Sequence, residues 1–291
     1  MKCYCCPRRC GADRSREAGF CGAGEKIKVA KAYLHMWEEP FISGARGSGT
    51  VFFSHCNLKC VYCQNYEISA LGHGREISAD RLLGIMTELE EKGAENINLV
   101  TPTHFVPMIL PALEKYKAGG GLPIVYNCGG YESVETLKTL EGVVDVYLPD
   151  IKYFDAAVSA RFSGAADYFD VCSAAVAEMK RQVPDYEFDG GVMTKGVALR
   201  HLVLPTLADQ GVKILDWVAE NLGKDVYVSL MRQYTPCFNA PLFPQINRPV
   251  TEREYQRVIR RAELLGMPNV FTQEEGAVGE EYVPPFDMEG V

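Results

Sequence analysis

Residues 50–65 read Thr50-Val51-Phe52-Phe53-Ser54-His55-Cys56-Asn57-Leu58-Lys59-Cys60-Val61-Tyr62-Cys63-Gln64-Asn65. The first five form a compact run rich in β-branched and aromatic residues, which predicts a strand. The cysteines that follow are spaced Cys-x3-Cys-x2-Cys, with no fourth nearby. Thiolates are soft ligands suited to iron–sulfur clusters, and an electron-transfer cluster normally takes four of them. Three leave one iron without a protein ligand, an open corner at which a substrate can coordinate. The competing explanation is a zinc site completed by His55 or the distant Cys128. Zinc sites usually arrive as two spaced ligand pairs, which this loop does not offer.

Outward from that stretch the apolar signature recurs at 96–101, 123–127, 143–149, 197–204 and 225–231, with a further short run at 269–272. Helical patterns lie between. Ser78 caps a run carrying Leu82, Leu83, Met86 and Leu89 on one face, stopped by Gly93. Residues 207–222 place Val212, Leu215, Val218 and Leu222 at helical spacing, and Thr251 with Glu254 makes a capping box. Repeated strand–helix units with apolar strands predict a parallel sheet with right-handed crossovers. Six units fall short of the eight of a closed barrel, so the expected α/β fold is an open, partial (β/α)6 barrel. It occupies 50–291, behind a cysteine-rich knot and connecting arm at 1–49.

The chain has 291 residues, 47% hydrophobic and 23% charged, with a net charge of −8. A diffuse acidic surface argues against a nucleic-acid partner. No apolar run approaches the roughly 20 residues that span a bilayer. The N-terminal run Met1-Lys2-Cys3-Tyr4-Cys5-Cys6-Pro7-Arg8-Arg9-Cys10 lacks the apolar segment of a secretory signal, so a cytoplasmic location is expected. Eight of the eleven cysteines lie within the first 63 residues. In a reducing compartment that concentration means metal or catalytic chemistry rather than disulfides. Cys3, Cys6, Cys10 and Cys21 put four thiolates in a segment too short to bury a core, with Cys5 to spare. Zinc or an auxiliary iron–sulfur cluster would staple it, and four unligated thiols are the third alternative.

Cys-x3-Cys-x-aromatic-Cys resembles the signature of the radical S-adenosylmethionine superfamily. The resemblance extends through His35-x2-Glu38-Glu39-Pro40, Gly47-Ser48-Gly49-Thr50, Leu99-Val100-Thr101-Pro102-Thr103-His104, Tyr126-Asn127-x-Gly129-Gly130-Tyr131-Glu132 and Tyr147-Leu148-Pro149-Asp150-Ile151-Lys152-Tyr153. Together these look like a branch similar to the activating enzyme of pyruvate formate-lyase. It implies that Cys56, Cys60 and Cys63 hold a [4Fe–4S] cluster that reductively cleaves S-adenosylmethionine, giving a 5′-deoxyadenosyl radical that abstracts hydrogen. Tyr62 then lies against the adenine, or simply packs the loop. Thr101 and Thr103 are candidates for the methionine ammonium, or Thr103 caps a helix. Asp150 and Lys152 resemble an Asp-x-Lys whose lysine meets the methionine carboxylate, or are a solvated pair; Asn127 stands where those enzymes often carry Asp. Arg200 puts a charge inside a strand pattern, which a barrel interior accepts only if it is paired, for instance with a cofactor carboxylate.

His35, Glu38 and Glu39 either face the radical site or belong to a surface linker. Cys237 is either a redox participant or packed. The resemblance implies an oxidoreductase like a glycyl-radical activase, with reduced flavodoxin or ferredoxin as electron donor and a protein or peptide substrate. The alternatives are a radical enzyme acting on other peptides or small molecules, and a non-enzymatic metalloprotein.

Overall fold

A computed structural model describes residues 2–273 and 284–291. Chain order runs β1 (Ile27–His35), α1 (Pro40–Ser43), β2 (Ser48–Phe53), α2 (Tyr66–Ser69), β3 (Arg75–Ile77), α3 (Ala79–Glu91), β4 (Ile97–Val100), α4 (Val106–Ala118), β5 (Ile124–Cys128) and α5 (Val134–Lys138). It continues with β6 (Val146–Pro149), α6 (Ala156–Ser163), α7 (Tyr168–Gln182), β7 (Glu187–Asp189), β8 (Val192–Leu202), α8 (Ala208–Asn221), β9 (Tyr227–Met231), α9 (Glu252–Leu265) and β10 (Val270–Thr272). One sheet has the order β10-β9-β8-β6-β5-β4-β2-β1-β3. Every pairing from β2 to β10 along that path is parallel. Its two edges do not pair with each other. The partial α/β barrel is therefore formed, with the short run at 269–272 supplying a seventh parallel strand.

Local chemistry explains the elements. The strands β2, β4, β5 and β6 are buried at every residue, as parallel strands covered on both faces must be. Ser78 accepts the Arg81 amide at the start of α3, and Thr251 with Glu254 closes the capping box of α9. Helices pack in pairs outside the sheet, α3 with α4, α5 with α7 and α8 with α9.

Three features depart from the sequence expectation. Within the expected arm, Ile27–His35 is a nine-residue strand, antiparallel to β2. Strand β8 begins at Val192, because Gly190 and Gly191, both at positive φ, turn β7 back on it. Arg200 consequently sits near the carboxyl end of its strand, not at the opening. Residues 284–291 lie along β1, with Met288 and Ala32 amides bonded to Ala30 and Glu289 carbonyls (3.0 and 2.8 Å). The buried Lys31 ammonium anchors them, 2.9 Å from both Asp287 and Glu289. Among the described residues no helix is long and apolar enough to cross a membrane.

Candidate functional site at the carboxyl edge of the sheet

Ligands of parallel α/β barrels bind at the carboxyl ends of the strands, and a cavity opens there. Its wall takes Phe52, Val100, Asn127, Asp150, Arg200, Leu202 and Met231 from successive strand ends, and Cys60, Tyr62, Cys63, Gln64 and Asn65 from the cysteine loop. His35, Trp37 and Glu38 close one side, with Lys152, Gln233 and Pro284. Seven of the ten residues singled out in the loop and at strand ends thus meet in one space; Cys56, Thr101 and Thr103 do not line it.

The loop leaves β2 through His55, whose φ of 71° lies in the left-handed region. Its ring fits only because Gly22 and Gly72 have no Cβ to strike it. The end of α6 then grips the loop: Lys59 N–H donates to Ser163 O (3.2 Å) and Val61 N–H to Phe162 O (2.9 Å). Each cysteine sulfur faces a hydrogen-bonding group. Leu58 N–H points at Cys56 Sγ (3.4 Å), Ser163 Oγ at Cys60 Sγ (2.9 Å), and Ser69 Oγ lies 3.1 Å from Cys63 Sγ. Burial pushes the Cys56 and Cys63 thiols up to about 12 and about 11. As free thiols they would stay protonated, so only bound metal makes them useful thiolates.

Opposite the loop lies a chain of ion pairs. Lys152 Nζ donates to Asp150 Oδ2 (2.5 Å), and Arg200 Nε to Asp150 Oδ1 (2.9 Å). Arg200 continues to Glu38 Oε1 and Asn127 Oδ1, 2.6 Å each. Glu38 Oε2 accepts from Asn98 (3.0 Å) and Asn127 (2.9 Å). Burial opposes these charges, yet Arg200 and Lys152 hold Asp150 below its ordinary pKa. Asp150 in turn raises Lys152 against the same burial. Behind them Glu39 accepts from Ser229 Oγ (2.8 Å), and burial pushes its carboxyl up to about 7.

The charge on Arg200 is therefore paired, but by protein carboxylates. Of the two alternatives for Glu38, the site and a surface linker, the structure takes the first; the charge of Arg200 inside a strand pattern is the signal that some carboxylate has to reach it. Arg200 spends three of its five N–H groups on this network, whereas Lys152 keeps two of its three. Tyr62 is buried, with its hydroxyl on Tyr153 (2.6 Å) and its ring edge-on to Tyr234. It packs the loop and also reaches the cavity wall. Thr101 and Thr103 lie elsewhere. Neither lines the cavity. Thr103 lies within the short 3-10 turn Thr103–Phe105, and its hydroxyl donates to buried Glu132 (2.8 Å). Thr101 sits at φ 59° with its N–H on Asn127 O (2.8 Å). Cys237 lies behind the loop, its Sγ 3.4 Å from Tyr62 O.

Among the described residues no three Cys, His, Asp or Glu side chains gather as one metal ion requires. Four thiolates on zinc would stand about 3.8 Å apart, from Zn–S bonds of about 2.3 Å. Cys6 and Cys21 are buried while Cys10 is exposed, and the spare Cys5 approaches Cys3 at 3.5 Å. A cubane cluster spreads its ligands over separate irons, so that criterion bears neither on Cys56, Cys60 and Cys63 nor on an auxiliary cluster at the N-terminal cysteines.

Comparison with known proteins agrees with this geometry. The model of the Radical SAM superfamily matches residues 50–216. An uncharacterized protein of Methanocaldococcus jannaschii is 31% identical over 278 residues, covering 92% of this chain and 76% of the relative. SuiB of Streptococcus suis, solved with its precursor peptide SuiA, superimposes with a TM-score of 0.52 at 13% identity. That match covers 76% of this chain and 47% of SuiB, so the chain spans about half of SuiB's length. A spore photoproduct lyase variant gives 0.51 at 16% identity, over 75% of this chain and 74% of the lyase. At such identities the likeness is one of fold. With more than half its length matched and the three-cysteine loop at the barrel mouth, the chain belongs to the radical SAM superfamily.

Proposed function

We propose that Cys56, Cys60 and Cys63 hold the [4Fe–4S] cluster that the superfamily implies, and that S-adenosylmethionine binds in the cavity lined by Cys60 and Cys63. When bound, the cluster supplies the electron that cleaves the sulfonium, yielding a 5′-deoxyadenosyl radical for hydrogen abstraction. The observation that carries the proposal is the loop itself: three sulfurs, each beside a hydrogen-bonding group, at the edge of a cavity with a cationic side chain opposite.

The protein's own part is positioning. Lys152 offers its two remaining N–H groups to the methionine carboxylate, while Asp150 fixes its ammonium. Arg200, held by Glu38, Asp150 and Asn127, keeps that aspartate ionised and in place. Tyr62 gives the cavity an aromatic wall. We assign the hydrogen donor to a polypeptide, as in a glycyl-radical activase. Trp37 on the cavity wall is 67% exposed and the adjacent Met36 46%, an apolar rim suited to a docking chain. A reduced flavodoxin or ferredoxin would deliver the electron.

Anaerobic reconstitution tests the first half. Dithionite should release 5′-deoxyadenosine from the wild type and none from Cys60→Ala; release from both would sink the proposal. Incubation with a purified glycyl-radical protein tests the second, since an activase leaves a glycyl electron paramagnetic resonance signal and another peptide-modifying enzyme does not.

A further inference from the structure

The donor on Cys60 differs from those on the other two sulfurs because it has hydroxyls behind it. Ser163, the last residue of α6, is fully buried and places its Oγ 2.9 Å from Cys60 Sγ. Tyr153 OH lies 2.7 Å from Ser163 Oγ, and Tyr62 OH lies 2.6 Å from Tyr153 OH. With Cys60 as a thiolate only one polarity satisfies the series. Each hydroxyl has one proton. Ser163 gives its own to the sulfur and must accept from Tyr153, which then accepts from Tyr62. Cys56 receives a single backbone N–H, and Ser69 beside Cys63 has no further hydroxyl behind it among the described bonds.

We infer that Ser163, Tyr153 and Tyr62 are a serial hydrogen-bond relay that sets the reduction potential of the cluster ligated by Cys60. The inference rests on the reading of Cys60 as a cluster ligand. A donor to a ligating sulfur stabilises the more negative, reduced cluster, and so raises its potential. Hydroxyls in series polarise one another, so the far members strengthen the near one. Water does not compete, since Tyr153 and Ser163 are fully buried and Tyr62 is 5% exposed. The geometry is held from both sides: Lys59 and Val61 amides tie the loop to the Ser163 and Phe162 carbonyls, so Ser163 cannot drift from Cys60. The hydroxyl farthest from the sulfur belongs to Tyr62, a residue of the cavity wall, so the relay runs from that wall to Cys60. These three are positioning residues: they act through the sulfur and touch no reacting atom.

The test is a redox titration of anaerobically reconstituted protein, read by electron paramagnetic resonance of the reduced cluster. Ser163→Ala is expected to shift the one-electron equilibrium about tenfold toward the oxidised form, about 59 mV to lower potential. Tyr153→Phe, which keeps the serine donor, should give a smaller shift in the same direction, and Tyr62→Phe the smallest. That graded order is the mark of a series. Potentials equal to wild type, or shifts without the order, overturn the relay. A wild-type protein that takes up no cluster overturns the assignment of Cys60 instead. If Ser163→Ala cannot be loaded, the order of Tyr153→Phe and Tyr62→Phe against wild type decides.

Discussion

Two groups of cysteines meet in this molecule, and they handle the charge of sulfur differently. In the loop at 56–63 each sulfur lies beside a group contributed from a different place: the Leu58 amide, the Ser163 hydroxyl at the end of α6 and the Ser69 hydroxyl of α2. In the N-terminal segment the surroundings are mixed: the Ala23 N–H points at Cys21 Sγ (3.4 Å) and backbone N–H groups of Arg8 and Arg9 face Cys6, but Cys5 turns to another thiol and an acceptor. Cys5 Sγ lies 3.5 Å from Cys3 Sγ and 3.7 Å from the His104 carbonyl, which only a protonated thiol can satisfy. Hydrogen bonding with Cys6 and burial raise the Cys5 pKa, and the same bond lowers that of Cys6. A site that holds three thiolates must give each a donor, as the loop does; Cys5, turned to a thiol and a carbonyl, keeps its proton instead. On that difference we propose the loop as the redox centre and the N-terminal segment as its brace.

The largest test of that contrast is substitution of the cysteines themselves. Cys56→Ala, Cys60→Ala and Cys63→Ala should each abolish cluster uptake and 5′-deoxyadenosine release. Cys10→Ala and Cys21→Ala should keep the brown colour and about four irons per chain, one cubane cluster. A fall from about eight irons to about four on changing Cys21, or zinc present in wild type and lost from that variant, would break the contrast by giving the segment a metal.

The second test compares buried carboxyls on the two sides. Glu39 lies behind the cavity network, whereas Glu132, beside Cys6, accepts from Thr103 and Tyr126 (2.8 and 2.9 Å). Burial pushes both up to about 7, from an ordinary value of 4.5. A folded-state pKa above the unfolded one favours the fold below about pH 4.5, and that contribution is lost as pH rises through about 7. The difference of about 2.5 units is worth about 3 kcal/mol per group. Urea unfolding at pH 5 and pH 8 should therefore show stability falling with pH, and Glu39→Gln and Glu132→Gln should each flatten the fall. A slope unchanged in Glu39→Gln would mean that Arg200 keeps that carboxyl ionised.

What the sequence made legible follows the range of the interactions. The parallel strands show as apolar runs because burial on both faces leaves no polar positions in them. The caps at Ser78 and Thr251 show because their partners lie three residues away. The polar residues of the cavity show because they sit at apolar strand ends, Asn127 in the last two residues of β5 and Asp150 and Lys152 just after β6. What failed was long-range. Strand β1, Ile-Lys-Val-Ala-Lys-Ala-Tyr-Leu-His over 27–35, carries two lysines, and its pairing with β2 crosses a turn that the local pattern does not encode. Thr103 looked available because nothing near it announces Glu132, 29 residues on. Glu38 could not be told from a linker residue because Arg200 is 162 positions away. The same distance hid Ser163, whose partner Cys60 lies 103 residues earlier.

The smallest effect tests how the brace acts on the loop. Arg8 stands between Cys6 and Cys10, and its guanidinium reaches out of the N-terminal segment to three carbonyls: Asn57 O at 2.8 Å, Gly164 O at 2.6 Å and Ser163 O at 3.4 Å. Asn57 belongs to the cysteine loop, and the other two end α6. One side chain thus pins the loop to the helix that donates to Cys60, and its cation also lies 5.0 Å from the Tyr131 ring centre. Hydrogen bonds from a charged donor contribute about 1.5–3 kcal/mol, and this one is half-buried, so Arg8→Ala should cost about 2 kcal/mol in anaerobic urea unfolding. A bare loss of stability would fit any surface contact. A brace predicts more: Arg8→Ala should also lose its cluster to a chelator faster than wild type, while Arg46→Ala, remote from the loop and paired with Glu95, should not. If both variants release iron at the wild-type rate, the N-terminal segment stabilises the fold without holding the loop, and the two cysteine groups are neighbours rather than partners.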